Sequence, residues 1–379
     1  MVEVTLNQEI VSLLDREGLI LAAWEDVLLA PALTSSVSLV RAPQAWARRG
    51  NEPSDGRGQM VVVIDTGVNG GHDFLKTKDG SKVVYEGCFS KGTRYDPVCP
   101  GKLPESSGPG SAAPCDMRVD PICEHGTQVA GIIAGSNGRF GKASFSGVAP
   151  GARLIAIQTF QKVTGADECK LSEDKRTDGK RVDPALCFRM PIANLLAALQ
   201  NVVDLADSFP IAAVNVSVSL PDLWRNHCAE RLYFHIARTV QDLRVRGIAV
   251  IAATGNDGQP EAIAAPSCVP GVIAVAGSDK ADNIDLSYSN RNHLVELVAP
   301  GTAILSSALT EIYKPGSGTS FAAAHVSGAW AVLKSIDPRR LRGHDQGRPF
   351  LDGRDADRRG QASSADRPGQ GSCDRSGRP

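Results

Sequence analysis

The sequence predicts an α/β fold built on a parallel sheet. Short apolar, β-branched runs recur along the chain, segments of helical periodicity separate several of them, and turn residues bound each run. The first run, MVVVID at 60–65, is continuous and apolar, as a strand buried on both faces requires. RLIAIQ (153–158), AAVNVSV (212–218), IAVIAA (248–253), VIAVA (272–276) and LVELV (294–298) repeat the pattern. Between them, 124–134, 192–206, 229–245 and 319–335 space their apolar residues at three and four, so each is expected to be a helix. Two interruptions, 76–124 and 162–190, are long for a compact domain and carry four and two cysteines, so both are read as disulfide-braced surface insertions.

The chain has 379 residues, with 42% hydrophobic and 22% charged, which allows one large core and excludes collagen-like and wholly disordered classes. Lys plus Arg is 41 and Asp plus Glu is 42, leaving a net charge of -1 and no global field for nucleic acid or an anionic membrane. No run of eighteen uninterrupted apolar residues offers a bilayer-spanning helix, so no membrane partner is expected. The first twenty residues hold early acidic groups and lack the basic, apolar, small-residue order of a secretory signal. Either the protein stays in the cytosol or the sequence begins downstream of its leader.

Cysteine usage favours the second alternative. The nine are Cys88, Cys99, Cys115, Cys123, Cys169, Cys187, Cys228, Cys268 and Cys373, and no pair has the C-x-x-C spacing of a zinc or redox site. Eight lie before residue 300, four of them in one Gly/Pro/Ser-rich stretch, which suits bridged loops in an oxidising compartment. Four disulfides are expected, sequential pairing being the simplest of many connectivities; scattered buried thiols are the alternative. From residue 337 to 379 Arg, Gly, Asp, Ser and Pro dominate, so this tail is expected to be disordered. Asp345, Asp352, Asp355, Asp357, Asp366 and Asp374 offset its arginines and argue against a nucleic-acid arm.

Three short motifs carry the chemistry: Asp65-Thr66-Gly67 at a strand end, His125-Gly126-Thr127 opening one helix and Gly318-Thr319-Ser320 opening another. Singly, each has a structural explanation as a turn, a core histidine or an N-cap. Together they supply a carboxylate to orient an imidazole, the imidazole as general base, and a hydroxyl nucleophile. A helix starting at Ser320 aims its free N–H groups and positive dipole end at developing negative charge. The run Ala252-Ala253-Thr254-Gly255-Asn256-Asp257-Gly258 follows a strand and sets the Asn256 amide past its C-terminal end, where ligands bind in open α/β sheets. Asn256 is therefore the expected second oxyanion donor.

The strings VVVIDTGV, EHGTQVAGIIAG, VNVSVS, AATGNDG, LVAPGTAILSS and SGTSFAAAHVSGAW, in this order, resemble the subtilisin-like serine proteases over residues 40–335. The resemblance implies a three-layer fold with a mostly parallel central sheet and helices on both faces. It implies Asp65 as orienting acid, His125 as general base and acid, Ser320 as nucleophile and Asn256 as oxyanion donor. It also implies that Val216, Ser217, Val218 and Ser219, with Ala253, Thr254 and Gly255, hold the substrate chain. The cysteine-rich stretch looks like secreted bacterial members, so secretion is expected. Residues 5–35 resemble the end of an inhibitory propeptide and Ala42-Pro43-Gln44-Ala45-Trp46 a mature start, giving domains at 1–40, 41–336 and 337–379. Expected partners are a protein or peptide substrate and the chain's own propeptide, on a monomer, with no nucleic acid and no cofactor in the chemical step.

Departures from the family pattern are Ala324 for proline, Phe321 for methionine, Ser219 for glycine and Gln128 for a second histidine. None removes a catalytic atom; Ser219 is expected to narrow the cleft, and loss of the proline to loosen the turn at the nucleophile. Phe74 stands where many relatives carry an acidic residue for structural calcium, which phenylalanine cannot ligate. The tail replaces the helix usual after the nucleophile helix, and a frame shift or truncation near residue 338 is expected. Asp-Thr-Gly also marks aspartic proteases, but those pair two carboxylates and the tripeptide occurs once here. The remaining alternative to an endopeptidase is a catalytically weak or inert peptide-binding relative.

Overall fold

The computed structural model describes residues 32–47, 54–91, 95–165, 169, 186–228, 230, 232–309 and 312–337. The propeptide resemblance upstream of residue 32, the charged stretch 170–185 and the tail beyond Asp337, with Cys373, lie outside the described residues.

The main sheet has eight strands: β1 (Met60–Asp65), β2 (Val83–Phe89), β3 (Glu105–Ser107), β4 (Arg153–Gln158), β5 (Ile211–Val216), β6 (Ala249–Ala253), β7 (Val272–Ser278) and β8 (Leu297–Pro300). Their lateral order is β8-β7-β6-β5-β1-β4-β2-β3, and all neighbours are parallel except the antiparallel pair β2 and β3. Alternation sends Val62, Ile64, Ile155 and Val214 to one face, under α4 (Ile192–Leu205) and α5 (Leu232–Val245). Val61, Val63 and Leu154 go to the other, under α3 (His125–Ala134) and α6 (Thr319–Ile336), and Ala213, Ile251 and Val275 extend that face beneath α6. These are the two helical layers the resemblance implies.

From β1 the sheet grows one way through β4 and β2, then the chain returns and lays β5 on the opposite side of β1. The connections therefore diverge between β1 and β5, and a crevice opens beyond the C-terminal ends of those strands. Asp65 ends β1 and Ser217 follows the end of β5, so the topology brings both to that crevice.

Segment 76–124 is not simply a surface insertion. It contains β2, which pairs in parallel with β4 inside the main sheet. Its sequence VVYEGCF hides this, because Glu86 and Gly87 interrupt the apolar run. The Glu86 carboxylate is satisfied by the backbone N–H groups of Gly110 and Ala112 at 2.9 and 3.1 Å. Four disulfides join Cys88 to Cys99, Cys115 to Cys123, Cys169 to Cys187 and Cys228 to Cys268, the sequential pairing.

The expected boundary at residue 40 falls within one packed region. Val37 on α1 (Ala32–Leu39) and Ala42 on α2 (Ala42–Trp46) are buried in the same cluster as Val61. Trp46 Nε1 donates to Val148 O at 3.0 Å, and Ser36 donates its hydroxyl to His325 Nε2 at 2.8 Å. Burial lowers the His325 pKa to about 4, against the raising effect of its bond to Phe321 O, so the ring is neutral and accepts from Ser36.

Phe74 is fully buried against Phe145 and Tyr313, with ring centroids 5.0 and 5.4 Å away. Its backbone carbonyl accepts from Ser136 N at 2.9 Å, tying the 3-10 turn Asp73–Leu75 to the segment after α3. An aromatic cluster at this position does not fit a calcium ion, which needs six to eight oxygens. Phe74→Ala, made in a Ser320→Ala background to prevent self-digestion, is expected to lower the unfolding free energy by about 3–5 kcal/mol, measured by urea titration.

Candidate active site

Asp65 is fully buried at the end of β1. Its Oδ1 accepts from Thr66 N at 2.7 Å, and its two oxygens lie 2.8 and 3.0 Å from His125 Nδ1. His125 is delivered by the first residue of α3, after a 3-10 turn (Pro121–Glu124) whose N-cap Asp120 accepts from Ile122 N at 3.2 Å. The Cys115–Cys123 bridge ties that turn back to the loop before it. Thr66 Oγ1 accepts from Gly126 N at 3.1 Å and donates to Cys123 O at 3.4 Å, so the residue after the carboxylate holds the start of the histidine helix. A Cβ on Gly126 would strike the Gly67 carbonyl; only glycine lets the two segments approach so closely.

The His125 side chain keeps 16% of its surface exposed. Burial pulls its pKa down, but the charge and hydrogen bond of Asp65, aided by the charge of Glu124, outweigh it and hold the ring above its ordinary value. Glu124 is paired with Lys314 Nζ at 3.3 Å.

Ser320 is the second residue of α6, after Gly318 as N-cap, and is only 9% exposed. Its hydroxyl donates to Ser217 O at 2.9 Å, and no hydrogen bond joins it to His125 among the described residues. The Phe321 ring stacks on His125 at 5.9 Å and 20°, bringing the start of α6 against the imidazole. Asn256 Oδ1 accepts from both Thr319 N and Thr319 Oγ1 at 2.9 Å, while Thr319 Oγ1 accepts from Gly255 N at 3.1 Å. Those donors fix which amide atom is the oxygen and leave the NH2 of this exposed residue free of Thr319.

The four expected chemical residues thus form two bonded groups, Asp65 with His125, and Asn256 with Thr319 beside Ser320. Of the expected substrate-holding residues, Val216, Ser217, Ala253, Thr254 and Gly255 are buried, and Val216 belongs to the core under α4. They can meet a ligand only through their backbones, whereas Val218 is half-buried and Ser219 exposed. The motifs contain Thr66 and Thr319 but not their bonding, because a buried hydroxyl leaves no periodic signal.

A family model described as Peptidase_S8, subtilase family, matches residues 56–348. The chain belongs to the subtilase family. This subtilase is 26% identical over 317 residues to the major intracellular serine protease of Bacillus subtilis (strain 168), covering 83% of this chain and 78% of the relative. It is 27% identical over 309 residues to subtilisin BL of Lederbergia lenta, covering 82% and 87%. Among solved structures, Sphericase is similar in fold, with a TM-score of 0.55 and 21% identity across 83% of this chain and 88% of that one. The subtilase is a serine-type endopeptidase.

Replacing Cys115 and Cys123 together by serine frees the turn that presents His125. The double variant, again on Ser320→Ala, is expected to lose about 2–4 kcal/mol of stability in denaturant titration.

Proposed function

We propose that this subtilase cleaves peptide bonds through an acyl-enzyme on Ser320, with His125 as general base and acid, Asp65 orienting the imidazole and Asn256 binding the oxyanion. The observation that carries this reading is the pair of short contacts from the buried Asp65 carboxylate to His125 Nδ1. That arrangement makes Nδ1 the N–H and Nε2 the basic nitrogen. Ser320 Oγ attacks the scissile carbonyl carbon while its proton passes to Nε2; the carbonyl oxygen becomes an anion held by the Asn256 amide and the Ser320 backbone N–H. The C–N bond then breaks as His125 protonates the leaving amine. Water, deprotonated by the same nitrogen, attacks the ester and returns the hydroxyl to Ser320.

The reaction as proposed draws on these side chains, with no metal in the chemical step. The substrate is a protein or peptide whose main chain lies along the segment after β5, recognised chiefly through backbone groups. Four disulfides support secretion into an oxidising compartment. A monomer with a propeptide as intramolecular inhibitor is the proposed assembly.

A second reading, a weak or inert peptide-binding protein, is favoured by one observation: the Ser320 hydroxyl rests on Ser217 O rather than on His125. An organofluorophosphonate probe separates the two. Stoichiometric labelling of the intact protein and none of Ser320→Ala is expected; an unlabelled intact protein would establish the inert reading. Asn256→Ala is expected to lower kcat about 10²–10³-fold in hydrolysis of a chromogenic peptide.

The base must be neutral to accept a proton, so kcat/KM is expected to fall on the acid side at a pH above the ordinary histidine value of about 6.5. Glu124→Gln removes one charge that favours imidazolium, so the His125 pKa drops and the acid limb moves to lower pH. A limb that stays in place or moves up would show that Glu124 does not act on the ring.

A further inference from the structure

A chain of buried hydrogen bonds runs from the middle of α6 back to its own second residue. Ser327 Oγ donates to Asn215 Oδ1 at 2.9 Å, Asn215 Nδ2 donates to Ser217 Oγ at 2.8 Å, and Ser217 Oγ donates to Ser320 O at 2.7 Å. The return contact is the Ser320 hydroxyl on Ser217 O. Asn215 and Ser327 are fully buried and Ser217 is 1% exposed, so no water competes for these groups.

The directions are set by chemistry. Ser217 Oγ has one proton, and it is given to Ser320 O, so toward Asn215 it can only accept. That requires the amide to present its NH2 to Ser217 and its oxygen to α6, where Ser327 supplies the proton. Ser327 lies seven residues, two helical turns, beyond Ser320, and so on the same face of α6. Asn215 sits in β5, paired with Val63 of β1 and Ile251 of β6, which fixes its backbone at the middle of the sheet. Ala213, on the same sheet face, packs in the apolar cluster under α6, so a polar side chain at Asn215 needs partners to be tolerated there.

We propose that Ser327 and Asn215 are positioning residues for the nucleophile, acting through Ser217 to fix the Ser320 backbone against the strand end along which the substrate lies. This rests on the reading of Ser320 as the nucleophile. The segment after β5 then does two things at once: its backbone meets the substrate and its Ser217 side chain grips the residue that attacks it. Errors in the distance between attacking oxygen and scissile carbon are reduced because both are referenced to the same residue.

The test compares the full chain with Ser327→Ala, Ser217→Ala, the double variant and Ser327→Thr. Each is assayed for kcat and KM on a chromogenic peptide and for the rate of labelling by an organofluorophosphonate. Ser327→Ala is expected to lower kcat and the labelling rate about 3–10-fold with KM within twofold. Ser327→Thr keeps the hydroxyl and is expected to recover most of the loss. The double variant should be no slower than Ser217→Ala alone, because the relay reaches Ser320 only through Ser217. An unchanged kcat in Ser327→Ala, or strictly multiplicative losses in the double variant, overturns the proposal. Should Ser327→Ala not fold, Ser217→Ala decides: an unchanged kcat there overturns it equally. Failure of the intact protein to label at all is a different result, which refutes the nucleophile itself.

Discussion

The bond between a buried carboxylate and an imidazole is the constraint around which the rest is arranged. Asp65 has no solvent to satisfy it, and Thr66 N and His125 Nδ1 provide its hydrogen bonds from the protein. An unpartnered charge at such a place would be costly, so the start of α3 must come within reach of the end of β1. Thr66, Gly126 and the Cys115–Cys123 bridge enforce that approach from three directions. The divergence of connections on either side of β1 supplies the room.

Much of this was legible in the sequence. β1 and β4 begin and end where the apolar runs do, because strands buried on both faces must be apolar at every position. The helix delivering His125 was expected one residue early, and its start is displaced by the 3-10 turn at Pro121–Glu124. β2 was missed for the opposite reason: an edge-ward strand can carry Glu86 when backbone N–H groups satisfy it, and such compensation is invisible before the chain is folded.

At the site, residue types announced their chemistry but not their bonding. Asp65 and His125 are hydrogen-bonded to each other. Ser320 turns to Ser217, and Asn256 is oriented by Thr319, which the motif names only as a neighbour. Val216 shares the string VNVSVS with the other residues expected to hold the substrate; strand alternation sends its side chain into the core beneath α4 and Ser217 is buried, so Val218 and Ser219 represent that string at the surface. Periodicity distinguishes faces, whereas a relay of single hydroxyls and one amide depends on distances across the sheet that no spacing rule contains.

The anchoring of α1 has an implication for how such an enzyme tolerates shortening from its front end. Val37 is interred with the sheet's own apolar residues, and Ser36 caps the neutral ring of His325 on α6. Cutting at Ser36 or beyond takes away the hydroxyl from which that ring accepts. Removal through Leu39 would uncover His325 and open a void beneath α6.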